Sequence, residues 1–177
     1  MRKLNALVSF FTKTLNFVAA ENISSFHVVE EYNPSGQLIN NHPTAVCIYD
    51  QVYNAVIRIE RFPVRHDDKK VFGLLACWMQ NNDPHEYRYQ INRTADRALI
   101  PLPNPDINTT EESDETLAIE IIVPFREPVY GIKDPSGIYS FYGVKYRLAD
   151  STNPAENFEK QHIIHAYDSV NWRRGGR

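Results

Sequence analysis

The sequence predicts an α+β fold: a mainly antiparallel β-sheet with an N-terminal helix and a central helix packed on one face, plus an extended C-terminal arm. Three stretches predict it. In Val71–Asn82 (VFGLLACWMQNN), Val71, Leu74, Leu75, Trp78 and Met79 fall at i, i+3, i+4, i+7 and i+8, the single stripe of an amphipathic helix. In Tyr53–Phe62, Tyr53, Ala55, Ile57 and Ile59 alternate with Asn54, Val56, Arg58 and Glu60. In Thr116–Arg126, Leu117, Ile119, Ile121, Val123 and Phe125 point one way, with Glu120 and Arg126 the other. Period two with charges on one side marks a half-buried strand. The predicted core is therefore Leu74, Leu75, Trp78, Ile57, Ile59, Ile119 and Ile121.

Taken in order, residues 2–20 predict the first helix, with Leu4, Leu7, Val8, Phe11, Leu15 and Val18 on its core face. Phe10 and Phe17, seven apart, would share a second strip about 120° away. Such a strip either packs inside the subunit or forms a subunit contact, because two exposed aromatics side by side are unusual on a monomer surface. Phe26–Tyr32 reads as a short strand, followed by a turn at Asn33-Pro34-Ser35-Gly36. Thr44–Tyr49 is β-branched and reads as another strand, so these segments form a meander leading into the central helix. Asp67 or Asp68 can accept from the first free N–H groups of that helix. Pro84 closes it, since the residue before a proline is biased away from helix.

Beyond it, Glu86–Ile91 is a candidate strand. Residues 101–115 hold three prolines and an acidic run, the composition of a loop. Pro124 cannot donate a ladder hydrogen bond, which predicts an edge strand or an exit from the sheet. A turn at 133–137 precedes Ile138–Leu148, an aromatic-rich strand or arm in which Tyr139, Phe141 and Tyr142 are candidate interface residues alongside Phe10 and Phe17. The expected division is a domain over 1–130 and a C-terminal extension over 131–177.

Composition narrows the function. A chain of 177 residues is long enough for one domain with a sizeable core. Its net charge of −3 does not suggest a dedicated nucleic-acid binder. The two cysteines, Cys47 and Cys77, are too few for a disulfide framework and predict reduced thiols in the cytoplasm. No apolar run approaches the ~20 residues that span a bilayer, so no membrane partner is expected. Polar residues from Asn5 to Asn16 interrupt the N-terminal stretch, which argues against a signal peptide.

Motifs that carry chemistry are absent or isolated. The seven glycines form no phosphate-binding loop and no Gly-x-Ser-x-Gly elbow occurs. Of the six histidines only His162 and His165 are close, and no partner signature accompanies them, so neither a metal nor any cofactor is expected. Both cysteines lack a neighbouring His or Lys and read as buried thiols rather than nucleophiles. Glu111, Glu112, Asp114 and Glu115 crowd a loop and read as solvated acid, not a catalytic pair. Tyr139, Phe141, Tyr142 and Tyr146 beside Lys145 and Arg147 imitate a base-stacking platform, but core or interface packing suits them better. The terminal Arg173, Arg174 and Arg177 suit a solvated tail. No catalytic residue is assigned.

Several local patterns, taken together, give a resemblance. Arg2-Lys3-Leu4 opens a short helix. Phe26-His27-Val28-Val29 precedes Gly36. Tyr49 and Tyr53 lead into Ala55-Val56-Ile57-Arg58-Ile59. Leu74-Leu75-Ala76-Cys77-Trp78 runs to Asn82-Asp83-Pro84. Asp114 precedes Leu117-Ala118-Ile119-Glu120-Ile121 and Arg126-Glu127-Pro128-Val129. Over about the first 130 residues this order resembles the phage tail completion proteins of the GpR-like family, of the tail terminator type. The resemblance implies a virion structural protein without catalysis. It implies a hexameric ring at the head-proximal end of the tail, assembled in the host cytoplasm. Its partners would be further copies of itself, the tail tube protein, the sheath protein of a contractile tail, and a head–tail connector or neck protein. DNA would pass through the lumen without sequence readout. A neck or head-completion protein of the head–tail interface is the nearest alternative, and a small enzyme with a deep, charged pocket is a more distant one.

Overall fold

The computed structural model describes residues 1–39, 42–84, 88–91 and 99–149. The chain runs α1 (Arg2–Thr14), a 3-10 turn (Ala20–Asn22), β1 (Ile23–Ile39), β2 (His42–Pro63), α2 (Lys69–Asn82), β3 (Tyr89–Ile91), β4 (Leu99–Pro101), β5 (Asp106–Glu111), β6 (Thr116–Lys133), β7 (Tyr139–Phe141) and β8 (Val144–Leu148). The main sheet has the order β1-β2-β6-β8-β7, and β5 also pairs with β6. β3 and β4 pair as a separate ribbon. The registers of β5 with β6, β6 with β8 and β7 with β8 are all antiparallel. Helices and a mostly antiparallel sheet make the fold α+β, as the sequence predicts. The chain divides into two compact units, 1–30 with 53–89 and 101–125, and 31–52 with 90–100 and 126 onward.

In the first unit the helices cover one face of the sheet. Leu4, Leu7 and Phe11 of α1 and Val71, Leu75 and Trp78 of α2 share a core with Tyr53, Ala55, Ile57 and Ile59 of β2 and Ile119, Ile121, Val123 and Phe125 of β6. Leu74 and Met79 flank the buried stripe of α2 and are only partly covered. Asp67, not Asp68, caps α2: its Oδ1 accepts from the Lys69 N–H at 3.0 Å.

The start of α1 and the end of α2 meet in a buried ionic cluster. Lys3 Nζ lies 2.8 Å from Asp83 Oδ1, and Arg88 Nη1 lies 3.0 Å from Asp83 Oδ2. The second guanidinium nitrogen of Arg88, Nη2, donates to the Pro103 carbonyl at 2.7 Å. Burial pulls the Arg88 guanidinium below the usual arginine range, and Asp83 opposes that shift.

The first helix is shorter than the pattern over 2–20 suggests. The Thr12 and Thr14 hydroxyls donate to the Val8 and Phe10 carbonyls at 2.9 and 2.7 Å, a back-bonding that competes with helix continuation. Leu15 then leaves helical geometry at φ −89°, ψ 58°. Leu15 and Val18 are buried all the same, from the turn that follows. Apolar spacing reported the core here, and not the helix.

Residues 101–115 also differ from the loop expected. Asp106–Glu111 is strand β5, in register from Asp106 opposite Ile122 to Glu111 opposite Leu117. Only Ile107 on it is half-buried, so no alternation marks it in the sequence. Its neighbour Glu112 is not merely solvated acid: Glu112 Oε2 accepts from the Arg61 N–H at 2.8 Å. That bond holds Arg61 at φ +51°, a left-handed conformation costly for any side chain with a Cβ.

In the second unit, Ile39, Ala45, Cys47 and Tyr130 form one apolar cluster, and Val46, Ile48 and Tyr146 form another. The turn expected at Asn33–Gly36 is absent, because β1 runs through it. An edge strand tolerates Pro34, whose missing N–H need not break a ladder. Gly36 takes φ +71°, and a Cβ there would stand 3.1 Å from the Phe141 ring. The two strands expected at Thr44–Tyr49 and Tyr53–Phe62 are one, β2. Between those two segments Asp50 joins a buried ion pair, with Arg126 Nη2 2.6 Å from Asp50 Oδ2. Arg126, expected to face solvent, is therefore only 3% exposed. Nor does Pro124 end its strand, since β6 continues to Lys133. The β5 register stops at Ile122 and the β8 register begins at Gly131, so neither ladder needs the Pro124 nitrogen.

Two stability outcomes follow. Asp83→Ala leaves two buried cations without their anion, and urea unfolding should show a loss of about 3–5 kcal/mol; a loss near zero would mean the cluster is solvated. Arg61→Gly relieves the left-handed backbone and should gain on the order of 0.5–1 kcal/mol; a loss of stability instead would show that the Arg61 side chain matters more than its backbone.

Candidate functional site

The described residues gather no reactive centre. Among them no group of three His, Cys, Asp or Glu side chains could hold a metal ion. His162, His165, Trp172 and the terminal arginines lie outside the described residues, as do Asp150–Glu156, Asn157–Val170 and the Glu86 start of the expected strand. Cys47 is buried, but Cys77 is exposed because it sits off the apolar stripe of α2. On the face of the first unit's sheet that carries Arg58 and Glu120, Glu60, Asn108 and Thr110 join them in lining an open groove of about 310 Å³. Across it the Arg58 Nε–H donates to Glu120 Oε2 at 2.7 Å, with Arg58 about half exposed. Such a pair contributes little, because water screens it.

Displaced acidities lie elsewhere. Burial, then the neighbouring Tyr32, Tyr139 and Glu127, push the Tyr49 hydroxyl above its ordinary value. Hydrogen bonds from the Ser136 side chain and backbone hold the Asp134 carboxyl below its own. Neither group lines the groove. The Tyr49 environment belongs to a tyrosine cluster of the second unit, where the Tyr32 and Tyr49 rings lie 4.9 Å apart.

The aromatic residues singled out in the sequence fall into four situations. Phe10 is half-buried and lies 5.8 Å from Phe11, between ring centroids. Phe17 lies beyond the end of α1, so the two share no helical strip. Its ring stacks on His66 at 3.9 Å and meets Phe62 edge-on at 5.5 Å. Tyr139 and Phe141 pack against the Val46, Ile48 and Tyr146 cluster.

Tyr142 alone projects. It is 98% exposed at the tip of the β7–β8 hairpin. Phe141 pairs with Val144, so Tyr142-Gly143 is a two-residue turn, with φ of +51° and +79°. Those angles are the type I′ turn, which favours Asn-Gly. A tyrosine there accepts backbone strain and buries nothing within the subunit.

Gly137 supports the approach to this hairpin. A Cβ at Gly137 would stand 2.2 Å from the Tyr146 carbonyl, so only glycine allows the chain to pass. Ile138 beside it is 86% exposed. Tyr142 is thus carried by a hairpin whose other aromatics are anchored.

The family model for P2 phage tail completion protein R (GpR) matches residues 1–150. The chain belongs to that family. No curated protein and no solved structure matches it significantly. A GpR-family chain is a structural component of a phage tail, which places it in the virion tail and among other tail components. The match continues beyond the first 130 residues and takes in the β7–β8 hairpin. Tyr146 is buried against Val46 and Ile48 and ties that hairpin to the strands before it. The sequence gives no pattern for three buried ion pairs, Asp50 with Arg126 and Asp83 with both Lys3 and Arg88. The one signal, at Asp50 and Lys3, was a charge interrupting an apolar strand or opening an apolar helix.

The stacking of Phe17 changes what its substitution should do. Phe17→Asp places a carboxylate among rings of the first unit and should lower the thermal midpoint by several degrees in calorimetry. Wild-type stability with defective assembly would instead return Phe17 to an interface.

Proposed function

We propose that this GpR-family protein is a tail terminator, a hexameric ring that caps the tube at the head-proximal end. In this reading the ring stops tube polymerisation. It then offers a surface to the head–tail connector or neck protein and, in a contractile tail, to the last sheath ring. DNA passes through the lumen without base readout. The protein works by shape and contact, with no catalytic step.

Tyr142 carries the reading. A fully exposed aromatic held in a strained turn costs the isolated subunit stability and returns nothing inside it. Exposed tyrosines of this kind serve as interface anchors, since they bring contact area at small entropy cost. Such an outlier supports a functional assignment because backbone strain collects at functional positions. Tyr139 and Phe141 then position the tip, while Phe10 and Phe17 act within the subunit. Residues 150–177, the remainder of the proposed arm, lie outside the described residues.

The turn chemistry gives a test that separates folding from function. Asn suits the first position of a type I′ turn better than Tyr. Tyr142→Asn should therefore keep or slightly raise stability, by about 0.5 kcal/mol, while reducing ring formation and the yield of tails that join heads. Electron microscopy of tails made with the variant reads both. Normal rings at normal yield would remove Tyr142 from the interface.

A further inference from the structure

Strand β1 forms one edge of the main sheet, and its residues Ser24–Glu30 are all exposed. Phe26, Val28 and Val29 are exposed by 48%, 48% and 46%. Both faces of the stretch are open. His27 meets the core residue Tyr53 on the helix side, at 5.9 Å, while Phe26 lies 5.9 Å from Arg58 on the other. Edge strands are normally blunted by lysine, proline, a bulge or a covering element. Ser24–Glu30 has no lysine or proline, and Pro34 stands only in the later half of β1.

The first unit has a second open edge. Its strand order is β1, β2, β6, β5, and β5 pairs with β6 alone. On β5, Ile107 and Thr109 lie opposite Ile121 and Ile119, on the helix side, while Asn108 and Thr110 lie on the groove side. β5 has six residues, close to the length of the exposed stretch of β1.

Strand direction decides what can join these edges. β1 and β2 are separated by residues 40–41 alone, too short for a parallel crossover. The contact of Arg58 with Glu120, and that of Val64 just past β2 with Glu115 just before β6, run in opposite directions along the two strands, and β5 is antiparallel to β6. Four alternating strands leave β1 and β5 pointing opposite ways. A second copy in the same orientation therefore meets β1 with its β5 antiparallel, which is the stronger pairing. An odd number of strands would have forced a parallel contact.

We propose that Ser24–Glu30 of one subunit pairs antiparallel with Asp106–Glu111 of a second copy, joining subunits head to tail through one continuous sheet. The contact is heterologous, so copies add in one direction until the rotation closes a ring. This deepens the ring reading above and rests on it for closure. Val29 and His27 would then adjoin Ile107 and Thr109 of the second copy on the helix side, and Phe26 and Val28 would adjoin Asn108 and Thr110 on the other.

Hydrogen exchange on the full chain, dilute and concentrated, with native mass spectrometry of the same samples, tests the pairing. Amides of both 24–30 and 106–111 should slow at least about tenfold in the oligomer. Protection in neither segment, or in only one, overturns the pairing, as does a wild-type protein that stays monomeric at every concentration. Val28→Lys with Val29→Lys places charges on both faces of the edge at exposed positions. It should keep the thermal midpoint and abolish the oligomer; an oligomer like that of the wild type overturns the pairing. If Tyr142→Asn blocks tail completion while the double variant does not, the terminator reading stands and this contact falls. If the double variant abolishes self-association yet tails are completed normally, the contact stands and the ring function falls.

Discussion

The carboxylate of Asp83 holds the first unit's helices in place by correcting two charges that are badly placed for the helices that carry them. Lys3 puts a cation in the first turn of α1, where the helix dipole is positive. Asp83 puts an anion at the C-cap of α2, where it is negative. Each alone is unfavourable. Brought to 2.8 Å in a buried site, each offsets the other, and Arg88 takes the second carboxylate oxygen. Removing an anion from such a site leaves cations that cost several kcal/mol. The cluster therefore fixes which end of α1 meets which end of α2, and with it the covering of Ile57, Ile59, Ile119 and Ile121.

The second unit solves a related problem within its strands. β2 and β6 are too long to be apolar throughout, and at Asp50 and Arg126 they carry opposite charges that find each other. A buried pair adds little net stability against an apolar substitute. It does penalise register slips, because a slip by one residue would separate the charges and move every side chain to the other face. Long strands joined by short connections need such a pin more than short ones.

The proposed function rests on what the subunit leaves uncovered. Among the described residues, the carboxylates of Asp50, Asp83 and Glu112 are engaged in structural bonds, and those of Glu60 and Glu120 line an open groove. The uncovered features are an aromatic tip held in strained backbone and open edges of one sheet. A structural protein of a phage tail has use for both, since assembly proceeds by adding surfaces that an isolated subunit cannot satisfy.

The sequence by itself determined the α+β class, both helices, the paired apolar faces and the family resemblance. Each rests on a periodicity or an order of elements that local geometry imposes, as in Val71, Leu75 and Trp78 or in Ile119 and Ile121. Only the tertiary structure decided the rest. Phe17 left its supposed helical strip because threonine hydroxyls ended α1 early and His66 was there to stack on. Asp106–Glu111 became a strand because β6 offered a ladder, although its side chains carry no alternation. Asn33 and Pro34 read as breaks because a sequence shows the cost of a polar or proline residue, whereas its compensation comes from a partner many residues away. That long-range compensation also separates Tyr142, which has none within the subunit, from the aromatics beside it that do.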